Sequence, residues 1–117
     1  MATIDPSSRD AGISAVDLSA SQWTFVKRNA TGGIIQAGAG DTPLYVLEVP
    51  GKVGQTVTFI TLGKAKIKCA AIIAIDGKVK SDANGLAIPA LAADAGVGFM
   101  TENAVVGQVA QIQIDRT

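Results

Sequence analysis

From Lys64 to Ile75 the chain alternates with period two, so that Ala65, Ile67, Cys69, Ala71, Ile73 and Ile75 fall on one face of an extended strand. The opposite face opens with Lys64, Lys66 and Lys68 and then changes to Ala70, Ile72 and Ala74. One face is core throughout. The other leaves solvent partway along and meets something apolar, either a second sheet or a neighbouring subunit. A bland account of the lysines is a solvated face that also discourages edge-to-edge pairing. A sharper one is a docking patch for an acidic protein surface.

From Trp23 onward the rest of the chain follows the same grammar of short β-rich runs broken by Gly, Pro, Asn and Asp. Trp23 to Arg28 alternates and stops at Asn29, Gly32 and Gly33. Ile34-Ile35-Gln36 leads into Gly38-Ala39-Gly40-Asp41. Leu44 to Val49 is apolar on both faces and ends at Pro50-Gly51. Between Gln55 and Leu62 the apolar parity changes at Phe59-Ile60, which predicts a bulge there. Lys78 to Ile88 reads as a hairpin turning at Ala83-Asn84-Gly85. Ala90 to Ala95 has room for one helical turn, and Gly96 to Thr101 and Gln108 to Ile114 supply the last two strands. Val53-Gly54-Gln55 recurs as Val106-Gly107-Gln108, which suggests that two similar hairpins close the structure. The expected fold is all-β: a small β-barrel or sandwich of short antiparallel strands with an extended N-terminal arm.

That arm is residues 1–21, and the single β domain is 22–117. The arm is polar, with isolated Ile4, Ile13, Val16 and Leu18. It reads either as a frayed terminus or as a segment that orders on a partner, and its removal is expected to leave a folded core. The domain is short of large apolar side chains, with one Trp, one Tyr and three Phe in 117 residues. A core so thin gains from neighbouring subunits, so a homo-oligomer is expected.

Charge and chemistry exclude more than they suggest. Ten basic residues balance ten acidic ones, which argues against nucleic acid as a partner. No apolar run reaches the roughly 18 residues of a membrane-spanning helix, and no signal peptide is visible, so a soluble chain made in the cytoplasm is expected. Without His there is no Ser-His-Asp or Cys-His nucleophile. The one cysteine, Cys69, cannot anchor zinc and lies on the apolar face of its strand. Gly38 to Thr42 lacks the lysine and following helix of a phosphate loop. Asp76, Ser81, Asp82 and Asn84 are too sparse for a calcium loop and read as turn residues. Asp41, Glu48, Asp94 and Glu102 are scattered. No enzyme, cofactor or metal site is expected.

The run from Ile75-Asp76-Gly77 through Ser81-Asp82-Ala83-Asn84-Gly85-Leu86-Ala87, then Gly96-Val97-Gly98-Phe99-Met100, then Val106 to Ile112, resembles small tailed-phage capsid decoration (cement) proteins. The resemblance covers roughly residues 65–114. It implies a virion protein on the outer surface of an icosahedral head, commonly trimeric, that binds the major capsid protein and reinforces capsomer junctions without catalysis. The partner-binding residues expected on this reading are Ile4, Ile13, Val16 and Leu18 of the arm and the stripe Lys64, Lys66, Lys68. Another virion β-module, such as a head fibre, tail or receptor-binding piece, is the alternative, followed by a cellular carbohydrate- or peptide-binding domain.

Overall fold

In a computed structural model, which describes residues 7–39, 41, 44–91 and 97–114, the chain forms nine strands and no helix among the described residues. They are β1 (Ser7–Ile13), β2 (Phe25–Arg28), β3 (Ile34–Gln36), β4 (Tyr45–Val49), β5 (Thr56–Lys68), β6 (Lys78–Ser81), β7 (Ala87–Pro89), β8 (Gly98–Met100) and β9 (Val109–Ile114). All belong to one antiparallel sheet in the order β3-β2-β4-β5-β9-β8-β6-β7, with β1 also paired to β5. The expected all-β architecture is therefore the observed one.

The sheet is the same small unit built twice. Val26 pairs with Tyr45 and Val79 with Gly98, each partner 53 residues further on. Arg28 pairs with Ile34 as Ser81 does with Ala87, and Val46 with Ile60 as Phe99 does with Gln113. The opening strands match as well: β1 meets the first part of β5 through Ile13–Thr56 and Gly12–Val57, and β5 meets β9 through Lys68–Val109 and Ile67–Ala110. Each half curls back on itself through one parallel bridge, Ser14 to Ile34 in the first and Cys69 to Ala87 in the second. The 13-residue β5 closes the first half and opens the second.

The recurrent Val-Gly-Gln is the turn that this unit requires. In each copy the glycine has a positive φ, 83° at Gly54 and 82° at Gly107, which a residue with a Cβ adopts only under strain. The Gln55 side-chain oxygen accepts from Lys52 N, and that of Gln108 from Val105 N. Gly54 N then donates to Ser14 O, and Gly107 N to Cys69 O. The two turns lead β4 into β5 and β8 into β9 and occupy matching places in the two halves.

Strands that are apolar on both faces separate two cores. Phe25, Leu44, Val46 and Ile60 point into the larger cluster, together with Ile67, Ile73, Val79, Met100 and Ile112 of the second half. Val26, Tyr45, Leu47, Val57 and Phe59 point the other way, into a smaller cluster with Leu18 and Ile34. The first half thus buries its outer face against the second. The matching positions in the second half are Lys78, Phe99 and Gln113, and none of them is fully buried.

Three sequence expectations change. The parity break at Phe59-Ile60 reflects these two cores; β5 shifts register against β1 at Thr61, between Ile60 and Leu62, while β4 skips Glu48 between its pairs with Phe59 and Thr58. The strand expected over Lys64–Ile75 ends at Lys68, because Ala70 and Ala71 bend the chain; Ile73 stays buried while Ile75 is exposed. The segment read as an arm is laid onto its own chain as β1. Arg9 holds Glu48 with two hydrogen bonds of 2.6 and 2.9 Å, and Arg28 reaches Asp10 at 2.8 Å. Leu18 lies in the smaller core, so loss of residues 1–20 opens that core instead of sparing it. The helical turn considered for Ala90 to Ala95 falls largely outside the described residues.

The 83–85 hairpin forms as expected, with a detail that local preference does not supply. Asp82 N donates to Leu86 O, leaving a three-residue loop with Gly85 at φ 78°, and the Asp82 carboxylate caps Asn84 N and Leu86 N. Its tip then docks on the first half, where Phe25 N donates to Gly85 O at 2.7 Å.

Candidate interaction surface

Among the described residues the polar groups weighed for chemistry do not converge, and Asp94 lies outside those residues. Among the described residues no three His, Cys, Asp or Glu side chains lie close enough to hold a metal. Asp82 is spent on its hairpin, and the Ser81 hydroxyl donates to Asp82 O. Asp41 accepts from Lys27 Nζ at 2.6 Å and from Gly38 N at 2.7 Å; first the Lys27 hydrogen bond and then the Gly38 amide hold its carboxyl below the usual range. This is a loop clasp, as the turn reading of Gly38 to Thr42 expects; Gly40, Thr42 and Pro43 lie outside the described residues. Cys69 is 1% exposed, and burial pushes its thiol up, away from the reactive thiolate.

The residues proposed for partner binding divide. Ile4 lies outside the described residues. Ile13 and Val16 are exposed beside the first Val-Gly-Gln turn and remain available. Leu18 is 1% exposed, which corrects its assignment: it holds the fold and cannot meet a partner. Lys64 and Lys66 are exposed on β5 with Lys68 half-buried, opposite Gln113, Gln111 and Val109 of β9. The stripe is a true surface feature on the face turned away from Ala65 and Ile67.

A second surface escaped the sequence reading. Around the second Val-Gly-Gln turn, Ile72 (73%), Val105, Val106 (66%) and Val109 are all exposed. The antiparallel bridge between Ile73 and Ala104 sets Ile72 opposite Val105, so these two aliphatic side chains share one side of the ribbon. The duplication acts as an internal control. Leu18 N bonds to Gly51 O where Ile73 N bonds to Ala104 O, so Ile72 stands where the first half has Asp17, and Val105 where it has Lys52. Val109 occupies the place of Thr56. The fold accepts polar residues at all three positions, and the second half carries aliphatic ones. Only the paired topology exposes this, because Asp17 and Ile72 have no sequence similarity around them.

No family model and no curated protein matches the chain. Among solved structures it is similar to the crystal structure of the N base of head fiber gp8.5 in bacteriophage phi29, with a TM-score of 0.72 and 17% identity, over 95% of this chain and 96% of that one. That likeness establishes a shared fold.

Proposed function

We propose that this chain is a structural protein of a tailed-phage virion, seated on the head exterior as the base of a surface projection. The observation that carries the reading is the fold shared end to end with a head-fibre base. The exposed Ile72 and Val105 support it, because aliphatic side chains kept where the fold accepts Asp and Lys mark a surface selected for contact. The partner on this reading is the major capsid protein, and the assembled form is a homo-oligomer, with a trimer favoured. A cement role, bracing capsomer junctions without any projection, uses the same attachment; the fibre-base neighbour favours the projection.

Light scattering followed by co-sedimentation with expanded and unexpanded heads tests attachment. An oligomer that pellets with expanded heads is the expected result, and the Ile72→Asp/Val105→Lys double variant should stay in the supernatant. A wild-type protein that pellets with neither head form overturns the reading. Heat resistance of the loaded heads separates the two roles: a fibre base leaves it unchanged, and a cement protein raises it.

A further inference from the structure

Trp23 sits in a backbone conformation that its side chain disfavours. Its φ is 64°, in the left-handed region that bulky residues rarely enter. The second half shows why the backbone is there. Asp76 has the same φ of 64°, and its backbone N donates to Met100 O at 2.8 Å just as Trp23 N donates to Leu47 O at 2.8 Å. In the next residues Leu47 N donates to Thr24 O and Met100 N to Gly77 O, both at 2.9 Å. The fold therefore demands a left-handed residue at this point. An aspartate, which tolerates that conformation, satisfies it in one half, and a tryptophan occupies it in the other. Backbone geometry gives no reason for the indole.

What the indole does is line the junction of the halves. It packs on the larger core while remaining partly exposed, and the Lys66 ammonium stands 5.9 Å from its ring centroid. Together with Arg9, Glu48, Lys64, Lys66 and Gln111 it borders a cleft of about 210 Å³, room for one or two side chains and too little for a cofactor. Among the described residues three cations and one carboxylate border this cleft, and Arg9 holds that carboxylate, Glu48, with two hydrogen bonds. Lys66 is no more required by the fold than the indole is: the register that pairs β5 with β9 as β1 pairs with β5 sets it in the place of Ala11, while Lys64 stands in the place of Arg9 and keeps a cation there.

We propose that this cleft binds an acidic, extended segment of a partner protein, with carboxylates against Lys64 and Lys66 and an aliphatic stem on the Trp23 ring. The cationic border gives the charge complementarity, and the indole gives the apolar contact that bare lysines lack. The inference deepens the protein-binding reading above by naming the chemistry of one partner segment.

Trp23 is the only tryptophan in the chain, so its fluorescence reports on the cleft directly. The full chain is titrated with a glutamate hexapeptide, with a glutamine hexapeptide as control. A saturable change with the glutamate peptide alone is expected, weakening about tenfold between about 20 and about 200 mM salt. The Lys64→Gln/Lys66→Gln double variant, altered only at exposed side chains, should raise Kd about tenfold, the scale of about 1.4 kcal/mol. By calorimetry, Trp23→Asp, which copies the second half, should keep a cooperative unfolding transition and lose binding. Equal binding of the neutral peptide, no saturable response to the acidic one, or wild-type affinity in the lysine double variant overturns the proposal. No heads are present in this titration, so its failure and a failure of head attachment are separate results.

Discussion

Replacing Gly98 by alanine should damage the second half far more than its backbone conformation suggests. A Cβ built on Gly98 would lie 1.9 Å from Gln113 O, 2.9 Å from Gln113 C and 3.0 Å from Ile114 Cα, all main-chain atoms of β9. A backbone wall cannot rotate aside as a side chain can, so β8 and β9 must separate by more than 1 Å along the Gly98–Ile114 pairing. Overpacking of this kind costs about 1–3 kcal/mol, and weakened ladder bonds between the two strands add about 1–2 kcal/mol. A loss of about 2–5 kcal/mol follows, a large part of the roughly 5–15 kcal/mol that holds a domain of this size together. The first half shows that the topology itself does not require glycine here, because the matching residue is Tyr45. There β5 shifts register at Thr61, the β4–β5 register runs from Val46–Ile60, and the Tyr45 ring packs on Phe59 with centroids 5.0 Å apart. In the second half β8 and β9 keep one register from Met100–Ile112 to Gly98–Ile114. Urea unfolding followed by circular dichroism and Trp23 fluorescence measures the change, with Gly107→Ala as control. Gly107 meets nothing within 4 Å and carries only the strain of φ 82°, so its replacement should cost about 1–2 kcal/mol. A Gly98→Ala variant no less stable than Gly107→Ala would refute the argument from close approach.

Four further variants have expected outcomes. Leu18→Ala should lower unfolding free energy by about 2–5 kcal/mol in the same urea assay, because it empties part of the smaller core and has no surface role to lose. Ile72→Asp/Val105→Lys, which copies first-half residues onto the second half, should change stability by no more than about 0.5 kcal/mol at each exposed site while abolishing association with heads. The two titrating groups act at opposite ends of the pH scale. Asp41 is depressed in the folded state, so its contribution is present above the unfolded pKa and is lost as acid carries pH down through the folded value; Asp41→Asn should flatten the acid limb of a stability–pH profile. Cys69 is raised, so its contribution is full below the unfolded thiol pKa and lost as pH climbs through the folded one; Cys69→Ser should flatten the alkaline limb, and native Cys69 should resist thiol reagents near neutrality.

Strand content was legible because alternation and turn chemistry are local. Ile34 to Gln36, Leu44 to Val49 and Gln108 to Ile114 read as strands and form β3, β4 and β9, the last two beginning one residue later, and Asn84-Gly85 marks a real hairpin. The stripe Lys64, Lys66, Lys68 was legible for the same reason, since period two alone sends those side chains to one face. Leu18 misled because a single leucine among Ser, Asp and Ala carries no period, and only its place above Val26, Leu47 and Phe59 shows it to be core.

Alternation and turn residues alone establish a β-protein and the place of most of its turns, and the lack of histidine leaves no nucleophile activated by one. That two weakly similar halves share β5, that the first half buries its outer face against the second, and that Trp23 takes the conformation of its counterpart Asp76 emerge from the folded chain. A repeat conserved in hydrogen-bond geometry needs few conserved residues. A glycine at positive φ and a glutamine cap at each turn suffice, and the remaining positions are free to become core in one half and interaction surface in the other.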